Sequence, residues 1–410
     1  MQFLDDVQIY DCIVVGIGGH GSSIVANLAK SGQKVLGLEQ FSPVHNKGSS
    51  HGRTRVYRQA YFEDPKYVPL LRRSLELWWE LDDFYKTDLR PTLCNSEPSD
   101  TLFHLCGGVM IGTPDSEVVS GVMRSIVEHE MPHEVLSASA MRQKYPQFKL
   151  SDDEVGVYEA NAGYLMAELC VESYIALARK YGADLHFEEA MLDWRSVAQG
   201  GAGVPPSLER GVQVRTAKGT YFARKLVLSV GAWAPSIYGA VIPKMQLYIE
   251  RRVLFWFQAS EQSVDAFKNF PIYIWDMGPS VGNFYGFPSE PQSPGEVKVA
   301  FHLANPSPAD GLASPEAVDR VVHSEEVDIM RSMLSGKIPD MNNELLKTTT
   351  CMYTTTKDGN FIIDFHPDSE DVVLVSPCSG HGFKFISVVG EIVGDLVRDG
   401  RTQHDISLFS

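Results

Sequence analysis

The 410-residue chain lacks several features that would assign it to a class at once. It has no apolar run near the roughly 18 residues a bilayer-spanning helix needs, which excludes an integral helical membrane protein. Its six cysteines (Cys12, Cys94, Cys106, Cys170, Cys351 and Cys378) form no Cys-x-x-Cys pair. Scattered this way they read as reduced thiols, not as a disulfide framework. Positive charge is scarce: Lys plus Arg number 36 against 52 Asp plus Glu, a formal net charge of −16. That balance argues against nucleic acid or an anionic membrane as the main partner, because both require a positive surface field. Met1 to Tyr10 shows no basic-then-apolar pattern, so no signal peptide is expected and the cytoplasm is the default location. Internal repeats and low-complexity tracts are also missing. What remains is ordinary: 44% hydrophobic and 21% charged residues, as in globular proteins, in a chain too long for one compact core.

The N-terminal forty residues carry the clearest local signal. Cys12 to Val15 is a short apolar run, as expected of a strand buried on both faces of a parallel sheet. Gly16, Gly18 and Gly21 follow in a Gly-x-Gly-x-x-Gly arrangement that includes Gly19. Ser22 to Ser31 reads as a helix with Ile24, Val25 and Leu28 on one stripe, and Lys34 to Leu38 as a second strand. In such a βαβ unit the first glycine permits a tight turn, the second lets a pyrophosphate approach the backbone, and the third packs helix on strand. The helix N-terminus then offers free N–H groups to the phosphates. Glu39, 23 residues beyond Gly16, stands where a carboxylate can accept from ribose hydroxyls, which favours FAD or NAD over NADP.

Further along, Tyr67 to Leu81 has helical periodicity, and the Pro/Asp/Ser-rich stretch Asp88 to Asp100 suggests a crossing between domains. A helix-rich stretch is expected over Val118 to Tyr145, a surface loop over Gln199 to Pro206, and a buried strand over Lys225 to Gly231. The Gly231-Ala232-Trp233 turn would pass close to the cofactor. Several β-rich runs lie between Ile249 and His302, and Asn305 to Ser314 reads as a loop. In Glu296 to His302, alternation puts Lys298, Ala300 and His302 on one face and Val297, Val299 and Phe301 on the other. The last helix is expected to begin near Gly382, with Val388, Val389, Ile392, Val393, Leu396 and Val397 as its apolar stripe.

Four separated motifs then point to a family. They are Ser50-His51-Gly52-Arg53-Thr54-Arg55 with Arg58 and Tyr61; Tyr285-Gly286-Phe287-Pro288; Cys351-Met352-Tyr353-Thr354; and Ser379-Gly380-His381-Gly382-Phe383-Lys384. From Tyr10 onward the sequence resembles the monomeric sarcosine oxidase group of covalent flavoproteins, which includes N-methyltryptophan and pipecolate oxidases. The resemblance implies an α/β fold: a discontinuous Rossmann-like FAD domain (1–90, 151–240, 351–410) and an inserted β-rich α+β substrate domain (91–150, 241–350).

By the same resemblance, Cys351 bonds through sulfur to the flavin 8α position, and His51 and Arg55 lie against the ring. Ser49, Ser50 and Thr54 also contact the cofactor, as do Gly231, Trp233 and the Gly380–Lys384 segment (Gly380, His381, Gly382, Phe383, Lys384). Arg58 and Lys384 anchor the substrate carboxylate; Tyr285 and His302 line the substrate pocket; Lys298 assists the reaction with oxygen. Cys378 stands where the family has Gly or Phe. The implied reaction removes a hydride equivalent from the carbon beside the nitrogen of a secondary amino acid, giving an imine that hydrolyses, while oxygen becomes hydrogen peroxide. A monomer whose partners are a small amino acid and oxygen, with no metal, completes the expectation. Three alternatives stay open on the residues alone: an amino acid oxidase or dehydrogenase of different substrate or electron acceptor, an NAD-linked dehydrogenase, and a non-enzymatic flavin-binding protein.

Overall fold

A computed structural model describes residues 7–93, 99–239, 245–303 and 311–409. Cys94, the 94–98 part of the expected interdomain crossing, residues 305–310 of the expected loop and the first six residues lie outside them.

The glycine-loop unit forms as its pattern requires. Ile9–Val15 is a strand, Gly19–Lys30 a helix and Val35–Leu38 the next strand, with the two strands paired in parallel. The helix starts three residues before the expected Ser22, because the loop glycines themselves wind its first turn. Around this unit an eight-stranded sheet grows. Thr220–Leu228 lies parallel to Ile9–Val15, Asp184–His186 continues beyond Val35–Leu38, and Ser369–Ser376 lies parallel to Thr220–Leu228. Antiparallel strands Met191–Ala198, Arg210–Thr216 and Ile362–His366 complete it. Gln199 to Pro206 is the expected turn between two of these strands. The C-terminal helix Ile386–Asp399 and the Ala167–Lys180 helix both pack on Gly19–Lys30. Small residues make the first crossing possible: a Cβ on Gly390 would sit 2.2 Å from Ser23 Oγ, and one on Gly394 2.3 Å from Asn27 Oδ1.

A second eight-stranded sheet runs in the order Leu345–Thr356, Leu247–Gln258, Glu296–Leu303, Asn283–Gly286, Ile272–Asp276, Gly108–Gly112, Val155–Glu159, Glu134–Ser137. The expected alternation holds in it. Val297 and Val299 pack in an apolar core with Phe255, Phe257 and Trp275, while Ala300 packs with Leu254, Trp256 and Cys351 on the opposite face. A small third sheet, Thr54–Tyr57, Gly163–Met166 and Phe103–Leu105, carries the His51–Arg58 segment.

The sheets divide the chain at other points than the sequence suggests. The expected boundary at 351 falls inside the strand Leu345–Thr356, which pairs along its length with Leu247–Gln258 in the second sheet. Val155–Glu159, expected on the glycine-loop side, also belongs to the second sheet through Gly108–Gly112. A strand cannot change layers midway without orphaning its ladder N–H and C=O groups, so the boundary must lie at strand ends. The expected helix-rich stretch contains two helices, Glu117–Glu128 and Ala138–Lys144, with the short strand Glu134–Ser137 between them.

Candidate active site

One cavity of about 340 Å³ lies between the two large sheets and is lined from both. On the first sheet the glycine loop forms its wall. Gly16 has φ +88°, and a Cβ there would meet Ser229 O at 2.3 Å. A Cβ on Gly21 would fall 1.7 Å from Gly16 O, so this third glycine fixes helix against loop. Gly18 differs: a Cβ there meets nothing within 4 Å, because it faces the cavity. Glu39 closes this end. It is buried, and its carboxylate accepts from the N–H of Ile17 at 2.9 Å and of Phe41 at 3.0 Å. Gly231, with φ +53°, and Trp233 line the same end, the indole donating to Glu316 at 2.7 Å.

From the second and third sheets come side chains instead of bare backbone. Cys351 is buried on the cavity wall, its Sγ 3.8 Å from Arg55 Nη2 and from Ser49 O. Arg55 is held by the carbonyls of Ser49 (2.7 Å), His51 (2.6 Å) and Thr54 (2.8 Å), and its guanidinium lies 5.7 Å from the Phe383 ring centre. Arg58 is 2% exposed and is sandwiched between the rings of Tyr61 and Phe62, at 4.2 and 4.4 Å. Lys384 donates to His381 O at 2.7 Å, and its own carbonyl accepts from the Trp78 indole at 2.9 Å. The His381 ring is fixed by the Tyr61 hydroxyl at 2.5 Å from Nδ1. His302 Nδ1 lies 3.2 Å from the Tyr353 hydroxyl, and Tyr285 packs edge-on to the His302 ring.

Burial dominates the electrostatics. It pulls Lys384 down to about 7, helped by Arg58, and His302 to about 3, so that His302 is a neutral imidazole. His51 falls to about 4 through burial and the neighbouring Arg55, and His381 to about 4 through burial and Lys384. Among the described residues on this side of the cavity, the carboxylate facing the cations is Glu63. It takes Arg58 Nη2 on both oxygens, at 2.6 and 2.7 Å. Although burial alone would raise it, Arg58, His381 and Lys384 bring its carboxyl down to about 2.

Most of the residues singled out in the sequence therefore meet in one place. Ser49, Ser50, Arg55, Arg58, Tyr285, His302 and Cys351 line the cavity, as do the Gly380–Lys384 turn, Gly16, Gly18, Gly19 and Glu39. Four do not line it: Gly21, which is packed behind the loop, and His51, Thr54 and Lys298. Lys298 is buried, donating to Gly52 O at 2.6 Å and Thr54 O at 2.8 Å.

The sequence pattern of the family described as FAD dependent oxidoreductase matches residues 11–396. A monomeric sarcosine oxidase of Streptomyces avermitilis is 43% identical over 404 residues, covering 98% of this chain and 96% of its own. An N-methyl-L-tryptophan oxidase of Yersinia pestis is 31% identical over 401 residues, covering 98% of each. The chain belongs to the monomeric sarcosine oxidase family of FAD-dependent oxidoreductases. Solved structures agree on the fold: NikD, described as an unusual amino acid oxidase, superposes with a TM-score of 0.81 at 23% identity over 98% of this chain and 97% of its own. Glycine oxidase from Geobacillus kaustophilus does so at 0.76 and 19% identity, over 98% of each chain.

The cavity of this sarcosine oxidase family member fits FAD. The open face of Gly18 leaves the room a pyrophosphate needs, since main-chain N–H groups bind phosphate only where no Cβ intervenes. Buried polar atoms without a protein partner include His20 Nδ1 and Arg58 Nε, both on residues that line the cavity. Such atoms cost free energy unless something polar meets them, and a flavin with its substrate carboxylate supplies the missing partners. Sequence reasoning missed Glu63. The signal available was physical: a buried guanidinium needs a counter-charge, and an acid lies five residues beyond Arg58.

Proposed function

We propose that this protein oxidises a secondary amino acid, N-methylated or cyclic, to an imine that water hydrolyses, and passes the electrons to oxygen to give hydrogen peroxide. The observation that carries this reading is the meeting of Arg58 and Lys384 with Cys351 in one cavity. Two buried cations suit a carboxylate, one through a planar fork and the other as a point charge. Cys351, on the wall of the same cavity, is the residue we assign to covalent attachment of the flavin. Arg55, Ser49, Ser50 and the glycine loop would hold the rest of FAD, and bound FAD supplies the two-electron acceptor.

The residues' own work follows from their chemistry. Arg58 and Lys384 fix the carboxylate, and the cavity-lining rings of Tyr285 and Tyr353 exclude water from the reacting carbon. Neutral His302 can accept a hydrogen bond from the amine without repelling it. Losing two electrons and two protons, from C–H and N–H, the substrate gains a C=N bond. Water then adds to that bond and the C–N bond breaks. Oxygen gains two electrons and two protons. The likeness to monomeric sarcosine oxidases supports a monomer, and the five free cysteines among the described residues favour the cytoplasm.

Peroxide release measured over a panel of N-methyl, cyclic and primary amino acids tests the reading. Turnover with at least one secondary amino acid and none with primary ones is expected. Turnover confined to primary or D-amino acids would overturn it.

A further inference from the structure

We infer that Glu168 is a positioning residue for Lys298, holding the turn Gly52–Thr54 from one side while Lys298 holds it from the other. The inference rests on the oxidase reading for its functional meaning, but not for its geometry. Gly52 and Arg53 both have left-handed backbone, φ +91° and +69°, and a non-glycine residue there is strained unless its surroundings over-determine it. They do so here. The Glu168 carboxylate accepts from Gly52 N at 2.7 Å and from Arg53 N at 3.0 Å. The carbonyls of the turn are taken up as well: Lys298 Nζ donates to Gly52 O at 2.6 Å and Thr54 O at 2.8 Å, and Arg53 O accepts from Ala167 N, beside Glu168, at 2.7 Å. The Arg53 side chain straps the turn to the strand approach through Glu290, Ser293 and Glu296.

The Gly52–Arg53 peptide group carries Lys298 on its carbonyl and Glu168 on its N–H, so cation and anion polarise it in the same sense and each strengthens the other's hydrogen bond. Lys298 needs this help. It is buried and shares its surroundings with Arg55 and His51, with Glu168, Cys351 and the Arg53-paired Glu290 acting in the opposite direction. Burial and Arg55 push its ammonium well below the ordinary lysine range, and Glu168 opposes them. Lys298 does not itself line the cavity, but its electrostatic neighbours Arg55 and Cys351 do, so a charged Lys298 would stabilise across the cavity wall the negative charge that oxygen gains on reduction, and a neutral one would not. Removing the Glu168 charge therefore makes Lys298 lose its proton at lower pH.

The test uses holoenzyme reduced with dithionite, so that no amine substrate is needed, and follows reoxidation by oxygen from pH 6 to 10. In wild type the rate is expected to fall at high pH as Lys298 deprotonates. In Glu168→Gln we expect reoxidation at pH 8 at least tenfold slower, with the falling limb displaced to lower pH by a unit or more. Glu168→Asp, which keeps the charge, should return the limb to within half a unit of wild type. A wild-type rate without a limb, or a Gln variant whose limb stays in place, would overturn the inference, because a purely structural role slows all pH values alike. Thermal melting supplies a second readout that also serves if the Gln variant binds little flavin. Losses in Glu168→Gln and Lys298→Met should overlap, the double variant falling short of their sum by at least 2 °C; additive losses would overturn the inference. Failure of every amine to reduce the flavin would reject the oxidase reading and leave both of these measurements decisive for Glu168.

Discussion

The two large sheets meet at one cavity but recognise by opposite means. The first contributes main chain: its recognition surface is a glycine loop and a helix N-terminus, with side chains kept out by contacts as short as 1.7 Å to a hypothetical Cβ. The second, with the small sheet beside it, contributes side chains: Cys351 and Arg58, both buried, and the partly buried Tyr285, His302 and Arg55. Backbone N–H groups bind any phosphate, so the first sheet can hold a cofactor common to many enzymes. Side chains discriminate, so the second decides what is done with it. The difference teaches where change is tolerated: specificity can drift on the second sheet while the first stays fixed by sterics.

The largest effect should come from Cys351. Acid precipitation of wild type is expected to give a yellow pellet with flavin retained, and of Cys351→Ser a colourless one; a yellow Ser pellet would place the attachment elsewhere. Next comes a pair within the glycine loop. Gly21→Ala inserts a methyl against Gly16 O and should cost about 3 kcal/mol, the upper range for overpacking, read as a lowered midpoint in denaturant. Gly18→Ala meets no protein atom, so stability should change by no more than about 0.5 kcal/mol while flavin content falls. Equal instability of the two would break the distinction between packing and recognition.

On the side-chain half, Arg58→Lys removes a fork that both Glu63 and a carboxylate can use. A charge-assisted hydrogen bond is worth about 1.5–3 kcal/mol, so KM for the amino acid should rise by about tenfold to a hundredfold. The smallest effect is a pH dependence. Lys384 is protonated below about 7 and neutral above it, so binding of a simple carboxylate such as acetate should weaken as pH rises through 7. Flavin absorbance changes on acetate addition would report this, and Lys384→Met should bind weakly with no inflection. An unchanged inflection in that variant would assign the titration to another group.

Legibility followed the same division. The strand, loop, helix and strand of the first forty residues were readable because every interaction they need is local, and only their ends moved: the first strand starts at Ile9 instead of Cys12 and the helix at Gly19 instead of Ser22. The alternation in Glu296 to His302 was readable for the same reason. The split between domains at residue 351 was not, because strand Leu345–Thr356 pairs with residues about a hundred positions earlier. Glu168 was illegible for a third reason. An acid in an acidic chain carries no mark until the fold shows what it faces.

By itself the sequence determined a dinucleotide loop, its ribose-side acid and the motif residues that define the family. Those depend on backbone geometry and residue identity over short spans. Only the tertiary structure decided what the buried cations meet: Arg58 the Glu63 carboxylate, and Lys298 the carbonyls of the turn that Glu168 holds. A buried charge is stable only beside a partner, and that partner is chosen by packing across the whole chain.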